Sequence, residues 1–221
     1  GSVVTQLNCA ENREYIQGAI IESGIFGQPF KLGFPDSTEE AMEWGKQFLD
    51  MLGVSTLDEA RKLPACYIRD KNDEFGKLWG TVEDGIFQKD NYQNNIPSGM
   101  FADVPILTGW TDNEFITEGI NAVEVGTRAF CRLLEDNGYK SPHYVYEFGP
   151  DIPGEDCPGA FHSSDLWFFF ETLAKCWRPF TGKHYDLSRQ MCNYWLILLN
   201  VEIQRSGLYG TPDGKMGTFC Q

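Results

Sequence analysis

Short apolar runs alternate with helix-forming stretches along this chain, and this alternation limits the fold more than any other feature. Strand-like runs occupy residues 18–24, 104–109 and 143–148, with helical patterns before, between and after them. Strands that alternate with helices usually form a parallel sheet covered by helices, so the pattern predicts an α/β fold with a mainly parallel sheet flanked by helices. Three strands make a thin sheet for this many helices, and we expect further strands elsewhere in the complete fold.

Sequence signals for the start and end of a helix give the predicted bounds of the helices. A capping box at Ser37-x-x-Glu40 opens one helix, and Asn137-Gly138 closes another. Residues 66–104 carry several turn signals and are predicted to be rich in loops. The predicted helices are Val3–Tyr15, residues 37–52, a short one from Ser55 to before Pro64, Ala122–Asp136, Asp165–Leu173 and Leu187–Val201.

Charge and hydropathy exclude two classes of partner. The chain of 221 residues has a formal net charge of −14 and no cluster of Lys and Arg, so it is not expected to bind nucleic acid. Its longest apolar run, Tyr194–Leu199, is far shorter than the roughly 18 residues that a membrane-spanning helix needs, so no membrane span is predicted.

The cysteines argue against a metal site. They are odd in number and widely spaced, with no Cys-x-x-Cys or Cys/His ligand spacing, so no metal is predicted. Free thiols in a reducing compartment are the preferred interpretation, which favours a cytoplasmic location; one or two disulfides in a secreted protein stay open as the alternative. The seven cysteines are Cys9, Cys66, Cys131, Cys157, Cys176, Cys192 and Cys220.

Two side chains follow neighbouring strands at the point where each strand ends. Glu114 comes shortly after the strand at 104–109, and His162 ends a loop rich in Gly, Pro and Asp that follows the strand at 143–148. Because the carboxyl ends of parallel strands meet at one edge of a sheet, we expect the two side chains to lie close together. A carboxylate that orients an imidazole is the arrangement of an acid–base pair in nucleophilic hydrolysis. On the residues alone, a surface or capping role for Glu114 stays open.

The other two histidines are predicted to be structural. His143 begins a strand, and His184 is assigned to a polar loop.

Four segments resemble a known family. The two specific ones are Val104–Phe115, which contains Glu114, and Gly159–Leu166, which contains His162. Ala19–Gly24 and Glu83–Phe87 add weaker matches. Together, and in this order, they resemble the type-B carboxylesterases, the family that includes the cholinesterases, over most of the chain.

The resemblance implies a partial α/β-hydrolase fold and a serine carboxylesterase activity without metal or cofactor, on a small-molecule carboxylic ester. It implies that Glu114 is the acid and His162 the base of a Ser-Glu-His triad. It further implies that Ser23 contributes a hydroxyl near Glu114, and that Asp165 is a carboxylate at a helix start that supports the His162 loop.

The family's Gly-x-Ser-x-Gly nucleophile turn is not recognisable in this sequence. Gly1–Val4 resembles the start of the helix that follows that turn in the family. The expectation is therefore that residues 1–221 form a single domain, the C-terminal part of an α/β-hydrolase domain, with no nucleophile of its own and no activity alone. The alternatives are a non-catalytic, cholinesterase-like binding or adhesion protein and a partial gene product without function. For the aromatic loop at residues 25–34, an acyl pocket and core packing both stay open.

Overall fold

The computed structural model of the protein describes residues 1–27, 33–35 and 37–205, with 199–205 described by their backbone alone. The chain divides into two compact units, Gly1–Phe30 with Tyr92–Gln221, and Lys31–Asn91. The single domain over 1–221 stays a prediction. In chain order the elements are α1 Ser2–Asn8, β1 Ala19–Glu22, α2 Thr38–Leu52, α3 Leu57–Ala60, α4 Ala65–Phe75, α5 Tyr92–Asn95, β2 Ile106–Thr111, β3 Ile116–Thr117, β4 Ile120–Asn121, α6 Ala122–Asp136, β5 His143–Phe148, α7 Leu166–Phe169 and α8 Gly182–Arg205.

The main sheet lies in the first unit. Within the described residues it has three parallel strands in the order β1-β2-β5. The central strand β2 is buried along its whole length. It contains Gly109, where a Cβ atom would collide with the backbone and ring of Tyr146 on β5. The α/β prediction with a mainly parallel sheet is therefore confirmed.

Two hydrophobic clusters cover this sheet. The first joins α1, β1, β2 and α6 through residues such as Leu7, Ile21, Ile106 and Phe130. The second is aromatic, includes Phe148 and Phe168, and joins β5 to α7 and α8. Burial of these apolar side chains stabilises the packing of the helices on the sheet. The packed helices in turn hold the strand ends in place.

Several predicted helix boundaries differ from the structure. The first helix ends at Asn8, because Cys9 is extended and a 3₁₀ turn, Ala10–Tyr15, follows it. The helix predicted to begin at Asp165 is a single turn. The last helix begins at Gly182 instead of Leu187.

The second unit contains α2, α3 and α4. Ser37 caps α2 by accepting a hydrogen bond from the amide of Glu40 at 3.1 Å, which is the Ser37 half of the predicted capping box. The helix α4 was missed, since residues 66–104 were predicted to be loop-rich. Its boundary signals are present in the sequence: Pro64 at the N-cap and a left-handed Gly76 at the C-cap. An aromatic cluster of Trp44, Phe48, Phe75 and Trp79 holds the unit together.

Candidate active site

Two loops at the carboxyl edge of the sheet carry the predicted acid and base, and Asn113 joins them. Its backbone amide donates to the carbonyl of Ala160 at 3.0 Å, and the two loops form a parallel bridge between Asn113 and Phe161. The Nδ2 group of Asn113 also donates to the carbonyl of Pro158 at 2.7 Å. Asn113 therefore fixes the distance between its neighbour Glu114 and the loop that ends at His162.

The loop before His162 is held from its other side by Arg178. The guanidinium donates to the carbonyl of Pro153 at 3.0 Å and to both carboxylate oxygens of Asp156, at 2.8 and 2.9 Å. These bonds lower the pKa of Asp156 below its ordinary value. The Arg178 side chain is only 6% exposed and lies 5.6 Å from the ring centre of Phe161. The loop is therefore a fixed structure and a suitable support for a base.

Glu114 and His162 form a direct, short hydrogen bond. The distance between Nδ1 of His162 and Oε2 of Glu114 is 2.6 Å. The other carboxylate oxygen, Oε1, accepts the backbone amide of Thr111 at 2.8 Å. The Glu114 side chain is 0% exposed, whereas that of His162 is 47% exposed. Since an ionised carboxylate can only accept, the proton of the neutral imidazole belongs on Nδ1.

The outer nitrogen of this imidazole is available for chemistry. Among the described residues, Nε2 of His162 has no hydrogen-bond partner, and no serine hydroxyl contacts it. With Nδ1 protonated, Nε2 carries a lone pair and can accept a proton from a hydroxyl group brought next to it.

The ring of Phe115 packs against the imidazole, and a second ring, that of Phe26, packs against Phe115. The ring centre of Phe115 lies 4.8 Å from that of His162, with an interplanar angle of 67°. Phe26 packs edge-on against Phe115 at 5.0 Å. Phe115 has a backbone φ of 46°, which is unusual for a bulky residue.

Asp165 and Tyr146 form a second polar pair at the same edge of the sheet. The hydroxyl of Tyr146 donates to Oδ2 of Asp165 at 2.9 Å. Burial raises the pKa of Asp165, and the charge of Glu114 raises it further. Asp165 does stand at the start of α7, but its side chain makes no capping bond there. Its hydrogen bond joins the start of α7 to the strand β5, and its support of the His162 loop stays a prediction.

Glu22, at the end of β1, adds a third carboxyl group to this edge. Burial and the nearby charge of Asp165 raise the pKa of Glu22 to about 7. Its Oε1 atom is buried and has no hydrogen-bond partner among the described residues.

Ser23 follows Glu22 and is buried in a left-handed conformation with a φ of 47°. Its amide donates to the carbonyl of Gly109 at 3.0 Å, which extends the pairing of β1 with β2. Within the described residues the hydroxyl has no hydrogen-bond partner, Glu114 included. A role for Ser23 next to Glu114 stays a prediction.

The other two histidines lie away from this pair. His143 begins β5, and burial lowers its pKa. The assignment of His184 to a polar loop was wrong, since it is buried in the first turn of α8. Its Nδ1 accepts the amide of Thr181 at 2.9 Å and its Nε2 lies 3.3 Å from the carbonyl of Asp151, so its role is to hold the helix start and the loop together.

The sequence also predicted no metal site, no membrane span and mostly free cysteines. No group of three or more His, Cys, Asp or Glu side chains in the described ranges could hold a metal ion. None of the helices in the described part of the chain is long and apolar enough to cross a membrane. The six described cysteines are unpaired, and Cys220 lies outside the described residues. Residues 28–32 of the aromatic loop also lie outside them.

The residues of this site that were not identified from the sequence include Glu22, Asn113, Phe115, Tyr146 and Arg178. Glu22 had a detectable signal, because it is the one polar residue in the strand Ala19–Glu22. Tyr146 had none, since its strand also contains His143 and Glu147. Asn113 and Phe115 stand on either side of Glu114 and had none, since their contacts depend on which loop packs against them.

Comparison with solved structures identifies the fold. A PNB esterase matches with a TM-score of 0.69 at 18% identity, over 91% of this chain and 52% of its own length. A carboxylesterase of Geobacillus stearothermophilus, Est55, matches with a TM-score of 0.62 at 19% identity, over 93% of this chain and 51% of its own. An esterase of Clostridium hathewayi that hydrolyses aliphatic aromatic polyesters matches with a TM-score of 0.60 at 18% identity, over 91% and 50%.

At these identities the likeness establishes the fold alone. The chain has a partial α/β-hydrolase fold, with the parallel sheet β1-β2-β5 flanked by helices. It spans about half the length of the solved structures that it matches. No family model and no curated protein matches the sequence.

Proposed function

We propose that the complete protein hydrolyses small-molecule carboxylic esters as a serine carboxylesterase, with Glu114 as the acid and His162 as the base of its triad. One observation carries the proposal: a fully buried carboxylate hydrogen-bonded at 2.6 Å to Nδ1 of a half-exposed imidazole, at the carboxyl edge of a parallel sheet. The fold shared with three esterases supports the same conclusion.

In the proposed reaction, Nε2 of His162 takes the proton of a serine hydroxyl as the serine oxygen attacks the ester carbonyl. The imidazolium then gives this proton to the departing alcohol, and an acyl-serine remains. Water, activated by the same nitrogen, hydrolyses the acyl-serine. Glu114 holds the imidazole in the Nδ1–H tautomer and stabilises the positive charge that forms on it. The serine and the oxyanion donors would come from a part of the protein outside residues 1–221.

The test is ester hydrolysis by the complete protein and two variants. Replacing the acid with Glu114→Gln keeps the size of the side chain but removes its charge, and kcat is expected to fall by about 10⁴-fold. Replacing the base with His162→Ala is expected to lower kcat by about 10⁶-fold. A matched control is Glu147→Gln, which changes an exposed glutamate on β5 and is expected to leave kcat unchanged.

Two results would contradict the proposal. Turnover that survives His162→Ala would exclude this histidine as the base. A complete protein with no serine in a Gly-x-Ser-x-Gly turn and no ester hydrolysis would favour a non-catalytic binding protein of the same fold.

A further inference from the structure

Phe115 has a backbone conformation that is unusual for an aromatic residue. Its φ of 46° falls in the left-handed region, which glycine favours and which bulky side chains rarely adopt. The residue follows the buried acid Glu114 directly, and its carbonyl accepts the amide of Ala122 at 3.3 Å. A turn of this shape is made most easily by glycine, so the aromatic side chain is kept here against a conformational cost. Strain of this kind concentrates at functional sites.

The ring of Phe115 is in contact with the imidazole of His162. Their centres are 4.8 Å apart at 67°, the edge-to-face geometry that aromatic rings prefer. Phe26 contacts the ring of Phe115 in turn, at 5.0 Å and 82°. The imidazole is therefore restrained twice: at Nδ1 by the carboxylate, and through its ring by the residue next to that carboxylate.

We propose that Phe115 is a positioning residue for His162. Its ring keeps the imidazole in the orientation in which Nδ1 bonds to Glu114 and Nε2 is exposed. The His162 side chain is 47% exposed, so without this ring it has solvent to rotate into. The inference rests on the proposed function in one respect, since that function gives His162 the role of base. Its test measures proton exchange and needs no catalytic turnover.

The experiment measures how fast the Nδ1 proton of His162 exchanges with water, by NMR on the ¹⁵N-labelled chain. Phe115→Gly suits the left-handed turn and removes the ring. Because an edge-to-face pair restrains the imidazole only modestly, we expect exchange about threefold to tenfold faster than in the wild type. Phe115→Leu, which keeps apolar volume without an aromatic edge, is expected to accelerate exchange similarly. Phe115→Tyr retains the ring and is expected to restore the wild-type rate.

Two controls separate positioning from loss of structure. Glu118→Gly removes another left-handed side chain, with a φ of 52°, from the same segment and is expected to leave the rate unchanged. The buried ring proton of His184, on Nε2 near the carbonyl of Asp151, reports whether the first unit stays folded in each variant.

Wild-type exchange in both Phe115→Gly and Phe115→Leu would overturn the proposal and leave the esterase assignment intact. A wild-type His162 without a protected Nδ1 proton would overturn both, since the pair with Glu114 would then not exist.

Discussion

At the scale of single residues, the carboxyl edge of the sheet has two carboxyl groups in different surroundings: Glu114 is buried and hydrogen-bonded, and Glu22 is partly buried with one oxygen atom unpartnered in the described residues. Glu114 accepts two hydrogen bonds, whereas Oε1 of Glu22 has no partner among the described residues. Burial and the charge of Asp165 raise the pKa of Glu22 from 4.5 to about 7. The folded chain therefore holds a proton on Glu22 over a pH range in which the unfolded chain has released it. The contribution of Glu22 to the free energy of unfolding therefore falls as the pH rises from about 4.5 to about 7.

Glu22→Gln is expected to remove this part of the pH dependence. Glutamine stays neutral, so the variant should match the wild type near pH 5 and exceed its free energy of unfolding by about 1–2 kcal/mol near pH 8, after allowing for partial exposure to solvent. Urea unfolding at both pH values measures the difference. The raised pKa of Asp165 acts in the same direction and should remain in the variant. An equal gain at pH 5 and pH 8 would show that the ionisation of Glu22 is not the cause.

Asn113 acts at the same scale, by joining the acid loop to the base loop. Asn113→Ala removes the bond from Nδ2 to the carbonyl of Pro158, and we expect a loss of about 0.5–1.5 kcal/mol in the free energy of unfolding. The loop at 151–160 should also become more sensitive to proteolysis. A matched control is Asn137→Ala, which removes a side-chain bond of similar length, 2.8 Å, to Leu133 at the end of α6. Equal sensitivity of the loop in both variants would contradict the joining role of Asn113.

At the scale of elements, the sequence predicts strands better than short helices. Ile106–Thr111 is buried along its whole length, and Ala19–Glu22 buries every second residue, so burial and local strand preference agree in both. The one-turn helix α7 depends instead on the packing of its aromatic side chains against α8. This packing partner cannot be identified from the sequence of α7 alone. The hairpin of β3 and β4 was missed because its two strands have two residues each, too few for a periodic pattern.

The turn of this hairpin gives a prediction at the same scale. Glu118 and Gly119 connect β3 to β4 with φ values of 52° and 79°, as in a two-residue type I′ turn. Asparagine tolerates this conformation far better than glutamate does, so Glu118→Asn is expected to raise the free energy of unfolding by about 0.5–1 kcal/mol. Thermal or urea unfolding measures the change. Glu118→Gln removes the same charge without relieving the backbone, and it should give no gain; a gain of equal size would assign the effect to charge.

At the scale of the whole molecule, the chain contains the proposed acid and base, Glu114 and His162, but no serine hydroxyl contacts Nε2 of His162 in the described part of the chain. The two side chains could be predicted to meet because each follows a strand of one parallel sheet. Their exact distance could not, because it is set by Asn113 and by the Arg178 anchor, which bridge loops that are distant in sequence. The proposed base can form an acyl-serine only where a serine hydroxyl lies against Nε2 and gives up its proton there.

The 221-residue chain alone is therefore expected to lack His162-dependent esterase activity. An assay with a p-nitrophenyl ester should give a slow rate that does not saturate with ester and that His162→Ala lowers only slightly, because any imidazole in contact with water cleaves such an activated ester weakly. Without a serine nucleophile and oxyanion donors, the steps that supply most of the rate enhancement are missing. This background rises linearly with ester concentration, whereas catalysis at the site would saturate. Saturable turnover that disappears in His162→Ala would mean that a nucleophile within residues 1–221 reaches Nε2, and the division of the triad between this chain and another part of the protein would be wrong.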